Sequence, residues 1–416
     1  MSRSGCASWP IRLVAAAGQP AESTLRAGVP LTLYIHIPWC VRKCPYCDFN
    51  SHASESPDGA IPEDTYVDAL LADLESSLPR VWGRKVAAIF IGGGTPSLLS
   101  AAALDRLLSG VRLRLPVLPD AEITLEANPG TVEADKFRAF REAGVNRLSL
   151  GVQTFDPSQL KALGRIHDGD EARSAAALAR HLFGHFNLDL MYGLPGQTVK
   201  QALDDLETAL SFDPTHLSCY QLTLEPNTPF AAAPPTLPTD DLCADMQDAI
   251  EQRLAAAGFE HYETSAFARP GHRCRHNLNY WAFGDYLGIG AGAHGKLTRH
   301  DVIVREMRHK SPRAYLDAAE TYARSGVADV FLQINEAVEP AAQPFEFMMN
   351  ALRLLDGVSV SLLVERCRLD EALLQKTLAI VDRARHDGLM VDDPTRLAPS
   401  ERGRRFLNQV LQRFID

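Results

Sequence analysis

Three cysteines fall within eight consecutive residues, Cys40-Val-Arg-Lys-Cys44-Pro-Tyr-Cys47. Spacings of four and three put all the thiols on one loop, close enough to ligate a single metal centre without help from distant parts of the chain. Three thiolates for four irons leave one iron open to an outside ligand. That suits a [4Fe–4S] cluster, since iron–sulfur centres favour thiolates and cubane sites normally take four. Two other chemistries fit the same residues. A structural zinc site would need His36 or His52 as its fourth ligand, yet zinc sites usually draw ligand pairs from two knuckles and no partner Cys-x-x-Cys occurs here. A dithiol redox motif of the glutaredoxin kind would use Cys44-Pro-Tyr-Cys47 alone and leave Cys40 unexplained.

Other runs carry chemistry only in company. Ile91-Gly92-Gly93-Gly94-Thr95-Pro96 follows an apolar stretch, and consecutive glycines let backbone approach a ligand and offer it amides and carbonyls. Alone, the run reads equally well as a tight strand-to-helix turn. In His276-Asn-Leu-Asn-Tyr280-Trp281 the imidazole could ligate iron and the aromatics could pack on a flat macrocycle, or the histidine could be a hydrogen-bonded core residue. Gly288-Ile-Gly290-Ala-Gly292-Ala-His294-Gly295 lacks the acidic residue and flanking pattern of a dinucleotide fingerprint, and reads as a glycine-rich strand and turn near the cofactor face.

These groups need positioning, and the pattern from residue 31 supplies it. Short β-branched runs at Leu31–Ile37, Val86–Ile91, Glu122–Ala127, Asn146–Gly151, Phe186–Met191 and His216–Leu222 predict strands. Stretches such as Asp64–Leu78, Ala101–Leu113, Val132–Ala143 and Val199–Leu210 have apolar residues at helical steps. Six strand–helix units in succession predict an α/β fold with a parallel sheet, a partial (β/α)6 barrel two units short of closure. Reactive groups in such folds sit on loops after the carboxyl ends of strands. The cysteines follow the first strand, Gly92–Pro96 the second, Glu126–Gly130 the third and Gln153 the fourth, with Asp189 near the end of the fifth.

Ala231–Pro238 reads as an irregular crossing before a helix over Asp240–Ala257. The tail has helical periods at Phe345–Leu355, Val360–Arg366 and Asp370–Asp387, a hairpin at Gly388–Ala398 and a last helix to Phe414, together a winged-helix-like module. The expected organisation is an N-terminal extension over 1–29, the barrel over 30–230, a barrel extension over 231–340 and the C-terminal module over 341–416. The extension, with Arg3, Arg12, Arg26 and a short apolar patch at Ile11–Ala17, reads as disordered.

Composition narrows the classes. The chain has 416 residues, 46% hydrophobic and 23% charged, and no apolar run long enough to span a bilayer, so a folded protein without a membrane span is expected. A net charge of −10 and the lack of a basic stripe argue against nucleic acid as partner. Eight cysteines, three of them clustered, do not make a secreted disulfide scaffold, which points to the reducing cytoplasm.

With the cysteine loop, the glycine turn and the six-unit pattern together, the chain resembles the radical S-adenosylmethionine (SAM) superfamily. Tyr34-Ile-His-Ile-Pro-Trp-Cys40 through Cys47-Asp-Phe-Asn50, Glu126-Ala-Asn-Pro129, Gly151-Val-Gln153, Asn187-Leu-Asp-Leu190 and Tyr192-Gly-Leu-Pro195 resemble its oxygen-independent coproporphyrinogen III oxidase-like group. The oxidases of that group carry a further cysteine two positions after the third, where this chain has Phe49. The resemblance is therefore to its heme-chaperone branch, whose HNxxYW heme-binding motif matches His276–Trp281.

The resemblance implies a [4Fe–4S] cluster on Cys40, Cys44 and Cys47, with SAM bound through its amino and carboxylate groups. It implies SAM contacts from Tyr34, a glycine segment of Gly93, Gly94 and Thr95 along the amino-acid portion, and polar positions Glu126, Gln153, Arg165 and Asp189 around the cofactor. His276 would be a heme ligand, and recipient hemoproteins the partners, with any membrane contact made through them. No residue is assigned a catalytic role. The alternatives are oxidative decarboxylation of coproporphyrinogen III and a thiol oxidoreductase using Cys44 and Cys47; whether the chain is an enzyme or a homodimer is left open.

Overall fold

The computed structural model describes residues 28–54, 60–131, 133–299 and 302–415. The reading of residues 1–27 lies outside them. Six parallel strands form the centre: β1 (Leu31–Ile37), β2 (Val86–Gly93), β3 (Val117–Ala127), β4 (Arg147–Gln153), β5 (Phe186–Tyr192) and β6 (His216–Gln221). All six lie where the sequence places strands. Between them run α1 (Glu63–Val81), α2 (Ala101–Arg114), α3 (Ala134–Glu142), α4 (Pro157–Ala162), α5 (Gly169–Leu182) and α6 (Val199–Ser211).

Local chemistry starts these helices. Ser100 accepts the Ala103 N–H at α2, and Asp168 with Glu171 and Thr198 with Gln201 form capping boxes at α5 and α6. Each strand then presents its apolar alternate residues to the helices. Leu31, Leu33, Ile35 and Ile37 of β1, with Ile89, Ile91, Ile123, Leu125, Leu148, Leu150, Leu188 and Leu217, belong to one core. The opposite face is polar.

The sheet is wider than six strands. After helix α7 (Asp240–Ala256), β7 (Glu260–Glu263) and β8 (Ala266–Ala268) add antiparallel strands beside β6. Helix α8 (Arg275–Trp281) leads into β9 (Asp285–Ile289), which returns to the other edge and pairs in parallel with β1. Antiparallel strands β10 (His294–Arg299), β11 (Val302–Arg308) and β12 (Leu332–Ala337) continue outward, with α9 (Pro312–Ser325) before the last. The order is β12-β11-β10-β9-β1-β2-β3-β4-β5-β6-β8-β7.

Helices α10 (Gln343–Ala351), α11 (Val360–Arg366), α12 (Glu371–His386), α13 (Glu401–Arg405) and α14 (Leu407–Gln412) build the tail. The residues expected as a hairpin meet in a single bridge, Met390 with Pro399, while Arg396–Leu397 pairs with Val358–Ser359. This module shares a second core with Tyr262, Trp281 and Phe283, so it is packed on α8 and its neighbours. No helix among the described residues is long and apolar enough to cross a membrane.

Strand β11 is joined to α1 through charge. Arg308 donates to Asp73 at 3.0 Å and to Glu306 at 3.0 Å, and both sides of the Arg308–Asp73 pair are fully buried. Asp73 also accepts the Tyr315 hydroxyl at 2.8 Å and the Gly290 N–H at 3.2 Å, tying the outer strands to the turn after β9. Removing one partner strands a buried charge. Asp73→Ala should therefore lose about 3–5 kcal/mol of stability, measured as a lower urea midpoint.

Candidate metal and cofactor site

The cysteine loop leaves the carboxyl end of β1 and is closed at its base by Trp39–Cys40 pairing with His52–Ala53. Inside it, Cys47 N–H donates to Cys44 C=O at 3.2 Å. The three thiols are half-buried and free. Burial pushes the Cys40 and Cys47 thiols up, opposed at Cys40 by a hydrogen bond from Thr95. A metal would have to displace those protons. Arg165 reaches to 3.7 Å from Cys44 Sγ and donates to Gly151 C=O at 2.6 Å, so its charge lies beside the loop.

The glycine turn after β2 docks on this loop. Gly94 N–H donates to Ile37 C=O and Thr95 N–H to Trp39 C=O, both at 2.7 Å. A Cβ on Gly94 would fall 2.5 Å from the Trp39 carbonyl oxygen. Gly93 has φ +116°, and a Cβ there would lie 2.6 Å from the His36 ring. Both positions therefore exclude a side chain.

His36, weighed in the sequence as a zinc ligand, has other work. Its Nδ1 meets Tyr34 Oη at 2.6 Å and its Nε2 meets Asn50 C=O at 2.8 Å, so neither nitrogen is turned to the thiols. Burial pushes the ring down to about 4, keeping it neutral; Asn50 opposes this and His294 and His52 add to it. Asn50 Nδ2 donates to Ala291 C=O and Lys310 C=O, at 3.0 and 2.9 Å, which fixes the far side of the loop to the turn after β9.

Behind the turn, the polar face of the strands fills the barrel in layers. Glu126 Oε2 accepts the Gly93 N–H at 3.1 Å. Asp189 accepts from Ser149 at 3.1 Å and Asn187 at 2.9 Å. Gln153, at φ 70°, accepts the Tyr220 hydroxyl at 2.5 Å. Burial, reinforced by Asp189, pushes Glu126 up to about 8, and burial raises Asp189 against its hydrogen bonds. Tyr34, Gly93, Gly94, Thr95, Glu126, Gln153, Arg165 and Asp189 thus surround the carboxyl ends of β1 to β5, beside the three cysteines. Carboxyls and amides in this pocket can take hydroxyl and amino groups, and Arg165 a carboxylate.

His276 is elsewhere. It lies on α8 at the opposite, amino-terminal end of the barrel, where Asn279 Nδ2 donates to Thr32 and Asp285 N–H to Pro30 C=O. Its ring is 3% exposed and stacks on Phe90 with centroids 4.3 Å apart and planes 8° off parallel. Nδ1 bonds Glu122 Oε1 at 2.8 Å, and Cys274 Sγ lies 3.3 and 3.5 Å from the two nitrogens. Glu122 also accepts the N–H groups of Arg275 and His276 at the start of α8. Burial alone would raise Glu122, but His276 and the Arg147 charge hold it well below the usual carboxylate range. Burial pushes His276 down despite Glu122. Trp281 is buried in the C-terminal core under Arg353, and Tyr280 packs on Tyr286. The histidine expected as a heme ligand thus sits with one ring face on Phe90 and Nδ1 on Glu122, apart from the cysteine loop.

Against this geometry, the comparisons with known proteins are specific. Residues 34–209 match the model of the radical SAM superfamily and residues 338–406 that of the HemN C-terminal domain. The heme chaperone HemW of Escherichia coli (strain K12) is 50% identical over 93% of this chain and 98% of its own length. The chain belongs to the HemW family. The Haemophilus influenzae HemW is 46% identical over 93% and 98% of the two chains. Among solved structures, E. coli coproporphyrinogen III oxidase (HemN), a radical SAM enzyme, superposes with a TM-score of 0.77 at 26% identity, covering 93% and 90%. The chain thus shares the oxidase's fold, in agreement with the α/β architecture expected from the strand–helix alternation.

Sequence reasoning passed over Asn50, Tyr220 and Glu122 as site builders. Tyr220 and Glu122 occupy the same alternate face as Asp189 and Glu126, and that period-two polar pattern was the available signal.

An acid raised on folding stabilises most below its unfolded value, 4.5 for Glu126, and the contribution fades as pH climbs toward 8. The ligand-free protein should accordingly lose stability across that window. Glu126→Gln should flatten the slope of urea midpoint against pH; an unchanged slope would assign the effect to other groups.

Proposed function

We propose that the chain holds a [4Fe–4S] cluster on Cys40, Cys44 and Cys47, binds SAM beside it, and acts as a heme chaperone that passes heme to recipient hemoproteins in the cytoplasm. The observation that carries this reading is a loop of three half-buried thiols with no fourth: Phe49, where the oxidases have cysteine, is 54% exposed. Such a cluster supplies one iron with an open coordination position. The high identity to HemW proteins over nearly their full length supports the chaperone over the decarboxylase.

The chain's own residues do the positioning. The Gly93–Thr95 backbone stands against the loop where the amino-acid end of SAM would lie. Arg165 beside Cys44 balances thiolate charge, while Glu126, Gln153 and Asp189 offer acceptors deeper in the barrel. With Glu126 pushed up to about 8 by burial and by Asp189, a proton on Glu126 avoids two buried like charges side by side.

Anaerobically purified protein should contain iron and sulfide matching one cubane per chain, lost in Cys44→Ser. Added hemin should give a Soret band and move to a heme-depleted recipient, and coproporphyrinogen III should yield no protoporphyrinogen. Colourless protein holding zinc, or a titratable Cys44–Cys47 disulfide, would defeat this assignment.

A further inference from the structure

Gln153 adopts a backbone conformation, φ 70°, that a residue with a Cβ seldom takes. It closes β4 where the pairing with β5 slips by one residue: Gly151 lies opposite Asp189, but Gln153 lies opposite Leu190. The residue between them, Val152, is fully buried in the core on the helix side. A bulge of this kind re-aims the side chain that follows it. Strain kept at such a place has to be held there by the surrounding structure.

Two side chains hold it. Asp205 of α6, itself buried, accepts the Thr154 hydroxyl at 2.6 Å and the Phe155 N–H at 2.7 Å, and Thr154 Oγ1 accepts the Asp156 N–H at 3.0 Å ahead of α4. The backbone just after Gln153 is thereby fixed to α6. From the other side Tyr220, on β6, donates to Gln153 Oε1 at 2.5 Å. Tyr220 packs against the apolar cluster of Leu163, Met191, Leu194 and Leu222, and its hydroxyl hydrogen needs an acceptor there. The amide oxygen supplies it and keeps a second lone pair, so the amide nitrogen faces away from Tyr220.

That nitrogen hangs inside the barrel. A Cβ built on Gly151 would fall 3.0 Å from Gln153 Nε2 and 3.6 Å from Arg165 Nη2, so both donors stand over one inward position that a glycine leaves open. Arg165 Nη2 is engaged by the Gly151 carbonyl, whereas Gln153 Nε2 has no acceptor among the described residues. An amide nitrogen with both hydrogens unspent, held beside a guanidinium, suits an oxygen of a carboxylate- and hydroxyl-bearing ligand.

We propose that Tyr220 and Asp205 are positioning residues for SAM: together they hold Gln153 so that its amide nitrogen meets a cofactor oxygen beside Arg165. This rests on the SAM reading above. Both act through Gln153, so their effects should vanish once its amide is gone. The test is equilibrium dialysis of SAM against cluster-loaded wild type, Tyr220→Phe, Gln153→Ala and the double variant, with iron–sulfide content checked in each. Tyr220→Phe should bind SAM about fivefold more weakly. Gln153→Ala should bind at least as weakly, and the double variant no more weakly than Gln153→Ala. Asp205→Asn, which keeps a carbonyl acceptor, should weaken SAM binding less than Asp205→Ala; equal losses in the two would remove Asp205 from the assignment. Wild-type affinity in Tyr220→Phe, or a double variant that loses the product of both single effects, would overturn the assignment while leaving the SAM reading intact. A cluster-loaded wild type that binds no SAM would overturn that reading itself.

Discussion

Everything at the open face depends on one backbone contact without room for a side chain. The Gly94 and Thr95 amides reach the carbonyls of Ile37 and Trp39, so the turn after β2 sits on the first residues of the cysteine loop. A methyl at Gly94 would collide with the Trp39 peptide. The turn therefore fixes the loop, and the loop fixes three thiols. His36 completes the clamp from below by holding Tyr34 on one nitrogen and Asn50 on the other, and its burial keeps the ring neutral. Its depressed basicity is thus part of the architecture.

The same economy governs the barrel. Its strands send apolar residues outward to the helices and polar residues inward, the reverse of a sheet with one wet face. An interior so lined must satisfy itself, and it does so by strand layers: Asn187 with Ser149, His216 and Asp189; Glu122 with the start of α8. At the top burial dominates, so Glu126 and Asp189 resist ionisation even though Asp189 accepts hydrogen bonds from Ser149 and Asn187. At the floor the balance is reversed by Arg147, the amides of α8 and His276, and Glu122 ionises readily. Four residues of strand, about 13 Å, separate opposite behaviours of one residue type.

The six central strands and the clustering of motif residues after them were legible because β-branched runs alternate with helical periods on a regular spacing. Helices α4 and α5 escaped that reading although Asp156 and Asp168 are strong caps, since α4 has only six residues and the apolar face of α5 is mostly alanine. The outer strands were hidden for a different reason. Val302–Arg308 carries Arg305, Glu306 and Arg308, which look like solvent residues; Arg305 is instead paired with Glu346, Glu306 with Arg308, and Arg308 with Asp73. Burial of that kind depends on partners more than two hundred residues away. The surroundings of His276 were hidden similarly: a local motif showed an imidazole among aromatics, and the distant Glu122 and Phe90 decide which way it points.

Those contacts give the HNxxYW run a structural meaning. One short helix drives His276 into the barrel floor and Trp281 into the core of the C-terminal module, while Asn279 holds β1 and β9 together. From His276 the rings of Phe90 and Tyr34 form a continuous stack, at 4.3 and 5.4 Å between centroids, and Tyr34 ends on His36 beneath the glycine turn. Packed rings in rotamer minima do not compress, so a shift of α8 has few places to go except along that stack. The C-terminal module is in this way mechanically joined to the residues that hold the cysteine loop, with no contact of its own at the open face required.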